Sequence, residues 1–311
     1  MAISIVIIGA GISGMSTAHL LAGKGYNITI CASAFSPDTT SDRAAAFWFP
    51  YHIRNDKRGI DWCHTSYRYY RDFALQPETG VSFCRLTKVL RTGVADEEPV
   101  WIDFMPEGSF RLIPEDELEP GVSKTYDITV PLIETQLFLP WLQNQLNTKG
   151  VVFIQKEIDD LDELSQQYDM VINCSALGAR KLCGDESLIP VRGQVGLLAP
   201  VAGMPVYLDN EKPLYVVPRK DATIVGGTYE PGVETAVTDP AVIQQLLNNA
   251  YEVFPELKSQ AVIGSWAGIR PYRDEVRVEK EAGKNIIHNY GHGGSGFTLA
   301  FGCAETVAHL V

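Results

Sequence analysis

Ile5-Val6-Ile7-Ile8-Gly9-Ala10-Gly11-Ile12-Ser13-Gly14 sets an unbroken apolar run directly before a glycine-spaced turn. Successive β-branched residues read as a strand buried on both faces, and the glycines read as its turn into a helix. A strand Ile3–Ile8, a helix Ser13–Gly23 and a strand Asn27–Cys31 form one βαβ opening. Glycine is required where a ligand leaves no room for Cβ, and bare N–H groups at a helix's positive end suit an anion. GxGxxG alone is a weak signal because it is short. Its setting here, strand before and helix plus strand after, favours a dinucleotide.

A second glycine-dense turn, His288-Asn289-Tyr290-Gly291-His292-Gly293-Gly294-Ser295-Gly296-Phe297-Thr298, opens the last helix of the chain. Two such turns at opposite ends imply a dinucleotide long enough to touch both, and FAD is the natural candidate. The acidic residue expected about 20 residues on for a ribose hydroxyl is replaced by Cys31-Ala32-Ser33-Ala34, which leaves Ser33 as a neutral partner. Thr39-Thr40-Ser41 reads either as an ordinary polar turn or as hydroxyls for pyrophosphate oxygens.

The chain has 311 residues, 45% hydrophobic and 21% charged, long enough for two domains or one with an inserted lobe. A net charge of −12 argues against a general nucleic-acid or anionic-membrane surface. Six cysteines without paired spacing read as reduced thiols of a cytoplasmic protein. The N-terminus lacks a basic leader and reads as a first strand, and no apolar stretch reaches the roughly 18 residues of a membrane span. The six histidines show no metal-ligand spacing, so no metal is expected. Gly293-Gly294-Ser295-Gly296 is not GxSxG and HExxH is absent, which disfavours hydrolytic chemistry.

Further along, helices are expected at Asp61–Leu75, Ile133–Leu146 and Pro240–Val253, with strands at Val81–Thr92, Val151–Gln155 and Met170–Cys174. An irregular acidic stretch runs to about Tyr126. Short β segments follow Arg192: Gln194–Ala199, Val206–Leu208, Leu214–Pro218, Thr223–Gly227, Ala261–Gly268, Val276–Glu279 and Asn285–Asn289. The fold class is therefore α/β: a Rossmann-like domain with a parallel central sheet, plus an inserted β-rich (α+β) domain. The expected division is 1–50, 134–193 and 276–311 for the nucleotide, and 51–133 and 194–275 for the substrate.

Arg270 stands between an apolar strand and Pro271. Such an arginine is by default a surface residue; facing an apolar cavity, its planar fork would suit bidentate capture of a carboxylate. At this point the chain resembles the FAD-dependent D-amino-acid oxidases. The resemblance is specific at Ile286–Ala304, and is supported by Thr39–Asp42, Ala44–Tyr51, Asn173–Ser175, Arg192–Gln194 and Gly268–Pro271, in family order. It implies non-covalent FAD held at its pyrophosphate by Gly9, Gly11, Ile12, Ser13 and Gly14, with Thr39, Thr40 and Ser41 beside it. Ile158 would touch the adenosine half through its backbone, and Ser33 and Ser175 are also expected among the cofactor-binding residues. Ala44, Ala45, Ala46 and Phe47 would line the flavin, and Gly293, Gly294, Ser295, Gly296, Phe297 and Thr298 its pyrimidine edge. Arg270, helped by Tyr215 and with Gly294 alongside, would bind the substrate carboxylate.

The implied reaction is oxidative deamination of a D-amino acid by hydride transfer to flavin N5, giving a 2-oxo acid, ammonia and, from dioxygen, hydrogen peroxide. Phe47, Phe49, Tyr215 and Val217 are expected to make an apolar side-chain pocket, favouring neutral or aromatic D-amino acids. Arg43, Arg219 and Arg273 are the cations that could alter this. The family's lid tyrosine is absent at Glu211, with Tyr207 the candidate to replace it in part. Alternatives are a D-aspartate/D-glutamate oxidase, a glycine/sarcosine-type oxidase, or a non-catalytic flavin-binding protein. Oligomeric state stays open, a homodimer included.

Overall fold

The computed structural model describes residues 2–93 and 100–311. Its framework is one fourteen-stranded sheet among the described residues. Ser4–Ile8 sits between Asn27–Ala32 and Met170–Asn173, and Val152–Gln155 and Ile286–His292 extend the sheet on either side, all parallel. The chain moves outward from Ser4–Ile8 on one side, then crosses back to Met170–Asn173 on the other. That reversal opens a crevice at the strands' carboxyl ends, where parallel sheets bind ligands.

Alternation along Ser4–Ile8 supplies both layers. Ile5 and Ile7 pack with Met15, Leu142 and Phe301 from the helices Ile12–Leu21, Thr135–Thr148 and Gly296–Leu310. Val6 and Ile8 face the other way, onto Leu161, Leu164 and Ile286. The helix Lys57–Phe73 joins the first layer so closely that a Cβ on Gly302 would stand 2.3 Å from the Trp62 Cα.

The other half of the sheet is antiparallel except where Val81–Arg91 runs parallel to Val206–Asp209. One face carries Val89, Leu198, Val216 and Val225 under the helix Pro240–Val253. The opposite face bears Leu208 and Tyr215 and looks into the cavity described below.

Two strands differ from the sequence-based expectation. Val122–Ile133 is a continuous strand paired with Val81–Arg91. Its alternation is disguised because Asp127, on the exposed face, is held by Arg85 at 2.7 Å and Arg111 at 2.9 Å. Part of the irregular stretch expected before it, 94–99, lies outside the described residues. Val262–Lys280 is likewise one strand of 19 residues where two short ones were expected. Pro271 does not break it, because its register partner is Pro190, and neither residue has an N–H to leave unpaired. This strand pairs with Ile189–Leu198 along its first part and with Ile286–His292 along its second, so it welds the halves together. The domain divisions expected at 193/194 and 275/276 fall inside these strands.

The thiols of Cys31, Cys63, Cys174 and Cys303 are buried, and all six cysteines are free. No helix among the described residues is long and apolar enough to cross a membrane.

His19 links this core to pH. Its ring lies edge-on to Phe73 at 5.9 Å and to Phe301 at 6.2 Å, and its Nδ1 has no partner. Burial, with a smaller push from Lys149, brings its pKa down to about 4, and burial does the same to His292. Unfolded histidine binds its proton near pH 6.5, so between there and about 4 the unfolded chain holds more protons. Stability is therefore complete above about pH 6.5 and is lost as pH falls toward 4. His19→Phe should reduce the fall in Tm across that window, as read by calorimetry at a series of pH values. Identical slopes would show that His19 is not a proton-linked group.

Candidate active site

A single cavity of about 880 Å³ occupies the crevice and continues under the antiparallel half. It is at the upper end of the roughly 300–1,000 Å³ common for small-molecule sites. At one end Gly9 has φ +104°, and a Cβ there would stand 2.5 Å from the Cys174 carbonyl oxygen. A Cβ on Gly11 would meet Ser41 Oγ at 3.0 Å, and that hydroxyl accepts from the Ile12 amide at 2.9 Å. The turn thus packs its glycines against Cys174 and Ser41 on one side and lines the cavity at a helix N-terminus on the other. Asp42 fixes the neighbouring loop by accepting from the Thr39 hydroxyl at 2.6 Å and the Thr39 amide at 2.9 Å.

Gly9, Gly11, Ile12, Ser13, Ser33, Thr39, Thr40, Ser41, Ala44, Ala45, Ala46, Phe47, Ile158, Ser175, Gly293, Gly294, Gly296, Phe297 and Thr298 all line this one cavity. Two expected residues stand behind it. Gly14 seats the first helix on its strand, since a Cβ would be 1.9 Å from the Gly9 oxygen. Ser295 latches Tyr51, its hydroxyl donating to the Tyr51 carbonyl at 2.6 Å and accepting from the amide at 3.1 Å.

At the far end two flat side chains lie on bare strands. Arg270 covers Gly193, where a Cβ would stand 2.2 Å from Nη2, and its Nη1 donates to the Thr228 carbonyl at 3.0 Å. The Tyr215 ring covers Gly226 and Gly227, where Cβ atoms would stand 2.1 and 2.5 Å from its carbons. Gly294 faces Tyr51 and Arg270 across the gap. Glycine inside a strand marks a close approach, so Gly193 and Gly226-Gly227 were a readable signal that the sequence reading missed. Thr228 is itself tethered: its hydroxyl donates to Glu230 at 2.6 Å, and Gln194 and Arg192 also hold that carboxylate. Burial alone would raise the Glu230 carboxyl, but these hydrogen bonds outweigh it and hold it below the usual carboxylate range.

Val217, expected in the side-chain pocket, is fully buried and does not line the cavity; Leu208 does. Phe47 and Phe49 both line it, with ring centroids 6.4 Å apart. Tyr207 takes no part, because it lies on the opposite sheet face, edge-on to Phe254 at 5.1 Å. Aromatic cover comes instead from Tyr51, His52 and Tyr229, with His52 stacked on Tyr229 at 4.7 Å. Of the other arginines, Arg219 is buried and bonded to Asp221, the Ala44 carbonyl and Thr135. Arg273 pairs with Asp185 at 3.1 Å, and Arg43 lines the cavity beside Trp266 at 6.0 Å.

The sequence pattern of the family described as FAD dependent oxidoreductase (DAO) matches residues 4–310. A D-amino-acid oxidase of Rubrobacter xylanophilus is 36% identical, the match covering 98% of this chain and 94% of that protein. A D-amino-acid oxidase of Dictyostelium discoideum is 30% identical over 99% of this chain and 91% of that protein. The chain belongs to the D-amino-acid oxidase family of FAD-dependent oxidoreductases. A solved structure of glycine oxidase from Geobacillus kaustophilus shares the fold, with a TM-score of 0.84 at 18% identity over 99% of this chain and 94% of that one.

FAD is the cofactor of this oxidase family, and the cavity fits it. The cradle at Gly9 and Gly11 admits no Cβ, a helix N-terminus opens on each side, and nonpolar Ala44 to Phe47 lie between. Burial brings the cavity-lining His292 down to about 4, where Asn289 accepts at 3.1 Å from its ring if Nε2 carries the proton. Burial likewise raises Tyr215 and Tyr51, against a smaller opposing pull from Arg270. At neutral pH these three groups are uncharged.

The two ends of the cavity separate experimentally. Gly9→Ala should abolish flavin absorbance in the purified protein, because the added Cβ meets backbone. Gly193→Ala should keep the flavin while raising KM, because it displaces only the Arg270 guanidinium. Equal flavin content in both variants would contradict this division.

Proposed function

We propose that this protein is a D-amino-acid oxidase acting on neutral and aromatic D-amino acids. The observation that carries the reading is the pair Arg270 and Tyr215, fixed flat on glycine at the end of the cavity opposite the Gly9 turn. Arg270 presents a planar fork to the substrate carboxylate, and the Tyr215 hydroxyl adds a neutral donor. The Thr228 carbonyl fixes the guanidinium plane before substrate arrives, so little ordering remains to be done on binding. Bound FAD would supply the two-electron acceptor for the hydride at the substrate Cα, with dioxygen as the final oxidant and hydrogen peroxide as its product. Burial brings His292 down to about 4, which makes it a weak base, and raises Tyr215 and Tyr51 so that they keep their protons at neutral pH; positioning rather than proton abstraction is what these side chains provide. The substrate amine enters neutral, and water hydrolyses the imino acid to the 2-oxo acid and ammonia.

Phe47, Phe49 and Leu208 extend the cavity past Arg270, which supports a substrate with a side chain over glycine or sarcosine. The D configuration is supported by the relatives named above. Anaerobic addition of D-alanine or D-phenylalanine should bleach the flavin, while the L enantiomers should not. A flavin that neither enantiomer reduces would make the protein a binder rather than an oxidase. Charge-assisted hydrogen bonds contribute about 1.5–3 kcal/mol, so Arg270→Ala should raise KM roughly ten- to a hundredfold with flavin content retained. An unchanged KM would move the carboxylate site elsewhere. D-Phenylalanine should exceed D-aspartate in kcat/KM, and the reverse order would refute the apolar pocket.

A further inference from the structure

Cys183 ends the short helix Gly178–Cys183, and with Cys84 it is one of two cysteines that are only partly buried. Asn173 and His288, register partners on adjacent parallel strands, both converge on its sulfur. The Asn173 amide donates to Sγ at 3.1 Å, and His288 Nδ1 lies 3.8 Å from Sγ and 3.4 Å from that amide. His288 is buried, and its other nitrogen, Nε2, faces Glu281 at 3.2 Å. A nucleophile, a base and a carboxylate that orients the base, each within reach of the next, form the arrangement that activates a thiol. Cys84 differs: its thiol donates to the Val130 carbonyl at 3.6 Å, and burial pushes it up to about 12.

Burial raises the Cys183 thiol against smaller pulls from the Tyr290 hydroxyl, Arg277 and Asn173, so the resting group keeps its proton and needs a base to react. Burial, followed by Arg277, lowers His288 in spite of Glu281, so the ring is neutral at pH 7. A neutral ring that donates its Nε2 proton to Glu281 turns a bare Nδ1 toward the thiol. The Asn173 N–H is placed to stabilise the charge that sulfur gains as its proton leaves.

We infer that Cys183 is a modification site for hydrogen peroxide, the enzyme's own product, and that its oxidation weakens the hold on FAD. The inference rests on the reading of the protein as a peroxide-forming oxidase. Sulfur attacks one peroxide oxygen, so the S–O bond forms as the O–O bond breaks. The thiol proton passes through His288 Nδ1 to the departing hydroxide, which leaves as water. Sulfur loses two electrons, peroxide gains them, and a sulfenic acid remains. Asn173 is the link to the cofactor end. Its Oδ1 accepts from the Ser175 amide at 3.2 Å and hydroxyl at 2.6 Å, and Ser175 lines the cavity next to Ala176, a non-glycine residue at φ +54°. Lys181 and Leu182, in the same helix as Cys183, line it too. An oxygen added to Sγ competes for the 3.1 Å approach of the Asn173 amide, and moving that amide releases the Ser175 turn.

The test exposes flavin-loaded wild type, Cys183→Ala and Glu281→Gln to hydrogen peroxide with no amino acid present. Dimedone traps sulfenic acid for peptide mass spectrometry, and fluorescence of the ultrafiltrate reports released FAD. Cys183 should be labelled ahead of the other five cysteines. Its oxidation should weaken FAD binding about fivefold or more, and dithiothreitol should restore it when dimedone is omitted. Cys183→Ala should keep its flavin under the same peroxide, and Glu281→Gln should slow the labelling severalfold. First labelling of another thiol, or equal flavin loss from wild type and Cys183→Ala, would overturn the proposal. Equal labelling rates in wild type and Glu281→Gln would remove His288 as the base. Should Cys183→Ala fail to hold flavin, Cys183→Ser supplies the same comparison. In a separate arm D-alanine replaces the added peroxide, and catalase should abolish the labelling it causes. If D-alanine gives no labelling where added peroxide still labels Cys183, the oxidase reading fails and the thiol assignment stands.

Discussion

The site depends on a guanidinium lying flat against a strand that has no side chain. Arg270 covers Gly193 and is anchored at 3.0 Å to the Thr228 carbonyl, which leaves its remaining donors facing the cavity. Rotation would need space that the strand Ile189–Leu198 does not provide. Because Val262–Lys280 pairs with both halves of the sheet, with a register shift between Tyr272 and Arg277, the position of Arg270 relative to the glycine turns is set by backbone pairing to both neighbouring strands. On the proposed reading, a substrate caught by its carboxylate would be held at a fixed depth from the region lined by Ala44 to Phe47. That is the geometric requirement of a reaction in which positioning provides most of the protein's contribution.

The electrostatics of the cavity fit the same picture. The chain is acidic overall, and the cavity lining carries both signs: Asp38, Glu157 and Asp209 beside Arg43, Lys156, Lys181 and Arg270. Arg219 shows how the surrounding charge is handled: it is buried, but Asp221 and the Ala44 carbonyl absorb its donors, so it fastens the cavity-lining segment at Ala44. Arg270 keeps free donors because its one backbone partner uses only Nη1.

Much of this was legible in the sequence because local chemistry dictates it. The apolar run before Gly9, the glycine-dense turn before Gly296 and the arginine before Pro271 each state a backbone requirement within a few residues. What was hidden depends on register. Val217 does point to the same face as Tyr215, as period-two alternation demands, but that alternation says nothing of depth, and Val217 ends beneath the packed core. Pro271 reads as a strand breaker until its partner proves to be Pro190. Tyr51, His52 and Tyr229 come from separate segments, and no spacing rule joins them over the cavity.

The claim that Arg270 receives the substrate carboxylate can be tested without turnover. A crystal structure of the flavin-loaded protein with benzoate, a carboxylate that has no Cα–H to give up, reports where the anion docks. The account predicts both benzoate oxygens on the Arg270 guanidinium, one of them also accepting from the Tyr215 hydroxyl, with the ring between Phe47 and the flavin. Benzoate bound elsewhere in the cavity, with Arg270 still unengaged on Gly193, would contradict it.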